Sequence, residues 1–340
     1  MTHRVRPARN DDFQSIYEMA KLTGGGFTNL PPDRGALVGK LLRSEKAFAS
    51  EATEPGDDLF LFVLENLETG QVRGTCQVFG TVGTEHPFYS YRIGTLTQTS
   101  KALDKTFRNG MLSLTTDLEG SSEVGGLFLH PGERAGGLGM LLARSRYLFI
   151  KLHRERFAKR VLAELRGVMD ESGGSPFWDA IAGRFFDMPF QEADEFNASH
   201  GTQFIADLMP KTPIYTAMLP ESARNVMGMP HPSGRAAMRM LEKEGFAFDC
   251  YIDIFDGGPT MTAPTDQIRT VRESRELVVA EIAGGAVEGP NLLLARGRLR
   301  EFAACCGNVA TDSEERATIG RETAEALGAR RGDSILAMGR

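Results

Sequence analysis

A chain of 340 residues is long enough for two domains, or for one elaborated domain with a sizeable core. Its hydrophobic content of 41% and charged content of 25% are ordinary for a globular protein, and its longest apolar run, LFLFVL at 59–64, is too short to span a bilayer. The net charge of −6 argues against nucleic acid as the main partner. We therefore expect neither a nucleic-acid partner nor a membrane partner.

The cysteines and the N-terminus bear on compartment and metal content. Four cysteines do not make a disulfide framework, and no CxxC or HxxxH spacing indicates a metal. The opening MTHRVRPARNDD has no apolar stretch of the kind that directs secretion. We expect a cytoplasmic protein without a metal site.

Predicted strands and helices alternate through the first half of the chain. They are a strand at HRVRPAR, a helix from Asn10 to about Lys21, a helix capped by Asp33, a hairpin of LFLFVLEN and VRGTCQVFGTVG, strands at 88–99, 111–116 and 122–129, a helix at 137–156, a strand at 161–168 and a helix at 175–183. This order predicts an α/β (α+β) fold with a mixed central sheet.

Residues 122–150, SEVGGLFLHPGERAGGLGMLLARSRYLFI, are the most informative segment of the chain. A β-prone apolar run is stopped at His130-Pro131, and apolar residues then recur at helical spacing. The segment therefore predicts a buried strand, a sharp turn and a helix.

The turn before that helix carries Arg134, Gly136, Gly137 and Gly139 in an RxxGxG pattern. Backbone N–H groups at a helix N-terminus lack intrahelical partners, and the helix dipole favours negative charge there. Glycines also let a pyrophosphate approach the backbone closely. The turn resembles the coenzyme A loop of acyl-CoA-dependent N-acyltransferases of the GNAT type, although a plain helix start has a similar pattern.

Several longer motifs resemble the arginine N-succinyltransferase family over residues 4–275, and the tail resembles it only loosely. They are TGGG at 23–26, YSYRIGTL at 89–96, EGSSEVGGLFL at 119–129, AELRGVMDESGGSPFW at 163–178, MPKTPIY at 209–215 and HPSGRAAMRMLEKEGFAFDCYIDIFDGGP at 231–259. The resemblance implies transfer of succinyl from succinyl-CoA, a co-substrate, to the α-amino group of L-arginine, the first step of succinyl-dependent arginine catabolism. It implies no permanently bound cofactor, and a homo-oligomer, most simply a dimer.

The same resemblance implies a GNAT-like domain at residues 1–190, with an elaborated C-terminal half. We expect residues 191–275 to be a second acyltransferase-like segment that completes the active site. Both SPFWDAIAGRFFDMPF and RAAMRMLEKEGFAFDCYI suggest an amphipathic helix ahead of an aromatic strand. Short β-prone runs at NLLLARG, RATIG and RRGDSILAM predict a small β-rich extension at 276–340.

The strand at 122–129 is the expected site for the pantetheine arm of the coenzyme. In GNAT folds this strand separates from its neighbour, and its free backbone groups bind the arm. The resemblance places Leu127 at that contact through its backbone, while its side chain packs in the core.

Among the six histidines, His231 has the most distinctive surroundings. It lies between two prolines in GMPHPSG, directly before a predicted helix, and prolines stiffen a loop. An imidazole with an ordinary pKa of about 6.5 exchanges a proton at neutral pH. A plain loop histidine fits the residues equally well, but the resemblance implies that His231 is the proton donor. Relatives often carry Asp-Pro where this chain has His130-Pro131, so we expect no family-wide catalytic role for His130.

Recognition of arginine requires carboxylates, because the guanidinium fork pairs with them bidentately. Glu123, Asp253 and Asp256 are the candidates, although the two aspartates could equally bind turn backbone around the glycine pair that follows them. Arg92 and the pair Ser121-Ser122 are candidates for the succinyl carboxylate, and Arg92 could equally form a structural ion pair.

Two alternatives to this function stay open. The acceptor amine could be ornithine, as in an ornithine/arginine succinyltransferase subunit, or the chain could be a non-catalytic coenzyme-A-binding partner protein. An intact RxxGxG turn together with the HP histidine argues against the second alternative. Direct attack in a ternary complex is favoured, because no cysteine lies in the motifs around the cofactor strand and no serine sits on a nucleophile elbow.

Overall fold

The computed structural model describes residues 3–23, 29–134, 136–200 and 203–339. Within them, fifteen strands belong to one mixed sheet. The strands are β1 (His3–Pro7), β2 (Leu59–Asn66), β3 (Val72–Phe79), β4 (Ser90–Ser100), β5 (Lys105–Thr115), β6 (Ser122–Leu129), β7 (Arg160–Glu164), β8 (Ile214–Tyr215), β9 (Ala247–Asp253), β10 (Pro259–Pro264), β11 (Arg275–Ala283), β12 (Asn291–Arg296), β13 (Ala303–Thr311), β14 (Arg316–Gly320) and β15 (Ser334–Gly339).

Eleven α-helices connect these strands in the same described ranges. They are α1 (Phe13–Lys21), α2 (Arg34–Ala49), α3 (Leu138–Leu152), α4 (Pro176–Ala180), α5 (Gly183–Phe186), α6 (Phe190–His200), α7 (Gln203–Leu208), α8 (Glu221–Arg224), α9 (Arg235–Lys243), α10 (Arg269–Glu273) and α11 (Arg321–Leu327). Among them, none combines the length and the apolar character that crossing a bilayer would require.

The sheet has two parts that meet at β1. One part runs in the order β1-β2-β3-β6-β7-β10-β9-β4-β5-β8. The other runs β12-β15-β11-β14-β13, and β12 also pairs with β13, so these five strands close into a ring. The contact between the two parts is the pairing of Val5 in β1 with Ala304 in β13. Closure satisfies strand edges that would otherwise be exposed.

Helix α3 lies on the first part of the sheet and carries the centre of the aromatic core. Its Phe149 ring lies 4.9 Å from the ring of Phe60, 5.0 Å from that of Phe62 and 5.1 Å from that of Phe302, between ring centroids. All four side chains are buried. The core therefore joins the helix that follows the glycine turn to the central strands and to the segment just before β13.

The predicted fold class is confirmed: the sheet is mixed, the C-terminal half is elaborated and the tail is β-rich. Three elements of the tail, β11, β13 and α11, were not predicted. The aromatic strand expected after SPFWDAIAG is wrong, since GRFF forms α5 and the chain enters α6 at Phe190.

The domain boundaries at 190/191 and 275/276 stay predictions. The central sheet crosses the first of them, because β10 and β9 continue it beyond β7. Residues 24–26 of the TGGG motif lie outside the described residues.

Candidate active site

Strands β6 and β7 run parallel but pair only at the first two positions of β6. Ser122 pairs with Val161 and Glu123 with Leu162, and the two strands diverge beyond that point. On its other side β6 stays paired with β3 as far as Leu129. The divergence leaves one edge of β6 open along residues 124–129, as the sequence predicts for the pantetheine site.

A bulge at Gly126 accompanies the divergence. The register between β3 and β6 shifts at this point, and Gly126 has a φ of +57°. A Cβ atom at Gly126 would lie 2.9 Å from the Gln77 side chain, so this position requires glycine for both conformation and space. The bulge re-aims the backbone groups of β6 on either side of it.

A cleft of about 640 Å³ occupies the gap between the two strands. Its walls come from β6, the first turns of α3, the end of β7, α9 and the segment after β9. Among the residues predicted for the site, those that line it are Leu127, Arg134, Gly139, Asp253 and Asp256.

The glycine turn lies at the entrance of α3. Gly136 and Gly137 have φ values of +66° and +82°, which only glycine adopts readily. Gly137 is the N-cap of α3 and offers no side chain to bind the first N–H groups of the helix. The Nε of Arg134 donates to the carbonyl oxygen of Leu129 at 3.3 Å. An open helix N-terminus and a nearby guanidinium together suit an anionic diphosphate.

His231 lies beside the end of β7, next to Ser233 and Gly234 of the cleft wall. Its backbone N–H donates to the carbonyl oxygen of Arg166 at 2.7 Å, and its Nδ1 lies 2.7 Å from the Oγ of Ser233. Burial, and next the positive charge of Arg166, lower the pKa of His231 below its ordinary value. The imidazole is therefore neutral at pH 7, held through its backbone and one ring nitrogen.

Five acidic residues line the cleft, namely Glu164, Asp194, Glu244, Asp253 and Asp256. Glu244 pairs with Arg144 at 2.8 Å, and Glu164, Asp253 and Asp256 form a group whose charges act on one another. Burial, and next the carboxylate of Asp253, raise the pKa of Asp256 to about 7. The same two causes raise the pKa of Glu164 well above its ordinary value. Carboxyl groups that resist ionisation because they are buried near one another suit a cationic ligand, whose charge can replace their protons.

The two aspartates of this group also hold the turn after β9. The Oδ1 of Asp253 accepts from the backbone N–H of Phe255 at 2.6 Å. Asp256 accepts from Gly167 at 2.7 Å and from Gly258 at 2.8 Å, through different oxygens. The turn-binding alternative is therefore correct for both. Within the described chain, Glu164 is the member of the group whose carboxyl does not bind turn backbone.

Glu164 and Arg166 are residues that the sequence reasoning did not single out. Both line the cleft, and the Nε of Arg166 is buried without a hydrogen-bond partner among the described residues. Both belong to the AELRG run at the carboxyl end of β7. Charged residues that end an apolar strand beside the expected cofactor strand are the signal that could have identified them.

Glu123 and Ser122 do not reach the cleft, because they precede the divergence and are covered by β7. Glu123 is buried, and its Oε1 accepts from the Nδ2 of Asn29 at 3.3 Å. The hydroxyl of Ser122 binds the carbonyl oxygen of Gly80 and accepts from the backbone N–H of Ala158. The expectation that these two side chains contact substrate is therefore not supported by their positions.

Arg92 also lies outside the cleft lining. Its Nη1 is 3.8 Å from the Oδ2 of Asp117, and its guanidinium lies over the ring of Tyr251 at 5.7 Å from the centroid. Its side chain is 60% exposed. The alternative of a structural ion pair fits this placement.

Comparison with known proteins gives the family. The model described as "Arginine N-succinyltransferase beta subunit" matches residues 3–270. The chain belongs to the arginine N-succinyltransferase family. The tail, which resembles that family only loosely by inspection, matches the model for the C-terminal domain of the same beta subunit over residues 275–339.

Individual members of the arginine N-succinyltransferase family are similar to this protein over nearly its whole length. Proteins named arginine N-succinyltransferase from Salmonella paratyphi B and Salmonella newport are each 40% identical over 97% of this chain and 96% of their own length. The structure of subunit AI of arginine/ornithine succinyltransferase from Pseudomonas aeruginosa is 34% identical, with a TM-score of 0.91 over 99% of this chain and 98% of that one. The resemblance predicted from the sequence is confirmed. The protein is therefore an acyltransferase, as expected.

Substitution of Gly137 tests the glycine turn as the diphosphate site. Asn and Asp have similar size, tolerate a positive φ and serve as N-caps, so the variants Gly137→Asp and Gly137→Asn differ mainly in charge. We expect Gly137→Asp to raise the KM for the acyl-CoA donor at least tenfold more than Gly137→Asn, since a like charge enters the diphosphate path (about 1.4 kcal/mol for tenfold). Equal KM values in the two folded variants would remove the assignment.

Proposed function

We propose that this protein transfers the succinyl group of succinyl-CoA to the α-amino group of L-arginine in a ternary complex. The observation that carries the proposal is one cleft that combines the open edge of β6, the glycine turn and a group of carboxyls that are buried or half-buried. The first two features suit a coenzyme A thioester, and the third suits a cationic acceptor. Membership of the arginine N-succinyltransferase family supports both parts.

In this proposal the coenzyme binds along β6. Its diphosphate occupies the glycine turn beside Arg134, where the N-cap Gly137 offers no side chain to the first N–H groups of α3. Its pantetheine arm pairs with the open backbone edge at Leu127, as an added strand would. Backbone N–H groups re-aimed by the bulge at Gly126 polarise the thioester carbonyl.

His231 carries the proton transfer. The α-ammonium group of arginine loses two protons in becoming an amide nitrogen, and one of them must reach the sulfur. The Nδ1 of His231 accepts from the backbone N–H of Ser233 at 3.3 Å, so the proton of the neutral ring lies on Nε2, from which the thiolate can take it. As the C–N bond forms and the C–S bond breaks, Nε2 gives its proton to the departing thiolate and takes up one of the two protons that the attacking nitrogen releases. The other proton goes to solvent.

Glu164 is the proposed partner of the arginine guanidinium. Its carboxyl is free of turn backbone, and burial among other carboxyls favours a cation beside it. A planar guanidinium pairs with a carboxylate through two parallel hydrogen bonds, which an ammonium cannot reproduce. The second candidate acceptor is ornithine, which we retain because the Pseudomonas aeruginosa relative is described as an arginine/ornithine succinyltransferase.

Location and assembly belong to the proposal as well. We infer a cytoplasmic protein, in keeping with its four free thiols. A homodimer and the absence of nucleic-acid and membrane partners stay predictions.

Arg166 is the proposed partner of the succinyl carboxylate, and the choice of acyl donor tests it. Its Nε is buried and unpaired within the described chain, and a carboxylate would satisfy it. We expect kcat/KM for succinyl-CoA to exceed that for acetyl-CoA in the native enzyme. Arg166→Gln should reduce this ratio at least tenfold by lowering the succinyl-CoA value alone (about 1.4 kcal/mol for tenfold).

Steady-state assays with both donors and saturating arginine measure this ratio, with Arg134→Gln as the matched cleft control. The control should lower both donor values together, because both donors share the coenzyme. If the ratio of the two kcat/KM values were unchanged in Arg166→Gln, the succinyl carboxylate would have to bind at another residue. If the native protein turned over neither donor, the non-catalytic alternative would be supported.

Replacement of His231 tests the proton transfer. Loss of a general acid typically costs about 10²–10⁴ in rate. We expect His231→Ala to lower kcat and kcat/KM alike by that order while both substrates still bind. His130→Ala is the control, since the Nδ1 of His130 accepts from the backbone N–H of Gly132 in the turn before α3. An inactive His130→Ala with an active His231→Ala would reverse the assignment.

A further inference from the structure

A second cleft, of about 440 Å³, lies where β1 meets the closed ring of β11–β15. Six arginines line it: Arg4, Arg6, Arg9, Arg296, Arg300 and Arg330. We propose that this cleft binds a small ligand with at least two negative charges, carried on phosphate or carboxylate groups. Among the described residues its lining shares no member with that of the catalytic cleft, so the inference stands apart from the proposed function.

The cleft is locally positive in an acidic protein. Four carboxylates lie in its lining or pair with its arginines, namely Asp12, Glu65, Glu301 and Asp333. Six guanidinium groups facing four carboxylates leave two positive charges, whereas the whole chain carries −6. A concave, singly signed surface concentrates counter-ions, so a dianion matches the excess charge.

The inner arginines are fixed in place by ion pairs. Arg6 has an 8% exposed side chain, donates to both oxygens of Asp12 at 2.7 and 2.9 Å, and also bonds to Glu65. Arg4 donates to the same oxygen of Glu65. Arg296 lies 2.9 Å from Asp333 on the ring side of the cleft. These pairs give the cleft a rigid base before any ligand binds.

The outer arginines of the cleft are those whose N–H donors are available to a ligand. Arg9, Arg300 and Arg330 are exposed, and within the described part of the chain their side chains form no ion pair. They come from three separate places, namely the end of β1, the turn before β13 and the turn after α11. Like charges brought together from distant segments repel one another, and a shared anion would offset that repulsion.

The chemistry of the lining selects oxyanions. All of its basic residues are arginine, whose planar fork matches the two oxygens of a carboxylate or phosphate. A volume of about 440 Å³ is in the range of small-molecule sites. A ligand held by Arg9 and Arg300 would bridge the N-terminal strand and the ring, so its binding should raise the melting temperature.

The test is calorimetric titration of the full-length protein with pyrophosphate and, separately, with citrate. Coenzyme A is present at saturation, so that the catalytic diphosphate site is already filled. Sodium chloride holds the ionic strength constant, because exposed charges are sensitive to screening. The variant Arg300→Gln/Arg330→Gln removes two free guanidinium groups. The control Lys105→Gln/Arg108→Gln removes two exposed positive charges from β5, outside the cleft lining.

We expect saturable binding of at least one probe and a higher melting temperature. Affinity should fall at least about tenfold in Arg300→Gln/Arg330→Gln and stay at the native value in the control. Binding of pyrophosphate alone would assign a phosphate-bearing ligand, and binding of citrate alone a polycarboxylate. No saturable binding of either probe, or the same loss in the control variant, would overturn the proposal.

Discussion

The parting of β6 and β7 after two residue pairs is the constraint on which the rest of the site depends. Parallel neighbours in a sheet normally satisfy each other's backbone groups along their length. Here β6 keeps β3 on one side and loses β7 on the other after Glu123. The bulge at Gly126 and the glycine turn before α3 follow on the same chain segment. One short run of sequence therefore builds both the open edge and the helix start at which we propose that the diphosphate binds.

Electrostatics divides the cleft into two halves. On the coenzyme side lie Arg134 and the N-terminus of α3, both suited to negative charge. On the other side lie Glu164 and the two turn-binding aspartates, whose pKa values are raised by burial. His231 and Arg166 lie by the end of β7, joined through the backbone N–H of His231 and the carbonyl oxygen of Arg166. In the proposed function, this division allows an acidic protein to bind a polyanionic donor and a cationic acceptor together.

Local pattern was enough to predict the features that depend on local backbone. The glycine turn, the helix behind it and the position of His231 beside a helix all follow from neighbouring residues. Glu123 and Ser122 were predicted to contact substrate because the sequence does not show where β6 and β7 diverge. Both residues precede that point. Glu164 and Arg166 were missed for the converse reason: only the three-dimensional divergence shows that the end of β7 faces a cleft.

The tail illustrates the same limit at the level of the fold. Its β character was predicted from short apolar runs, and three of those runs are β12, β14 and β15. Closure into a ring needs β11 and β13, whose sequences lack a clear alternation of apolar and polar residues. Pairings between distant segments, such as β1 with β13, carry no local pattern at all.

The most direct measurement of the central claim is the preference for arginine over ornithine, with succinyl-CoA as donor, in the native enzyme and in Glu164→Gln. The claim is that this cleft succinylates arginine and recognises its guanidinium through Glu164. It predicts a higher kcat/KM for arginine in the native enzyme, and a preference at least tenfold smaller in Glu164→Gln (about 1.4 kcal/mol for tenfold). Glutamine keeps the shape of the side chain but not its charge. An unchanged preference in a folded, active Glu164→Gln would contradict the account.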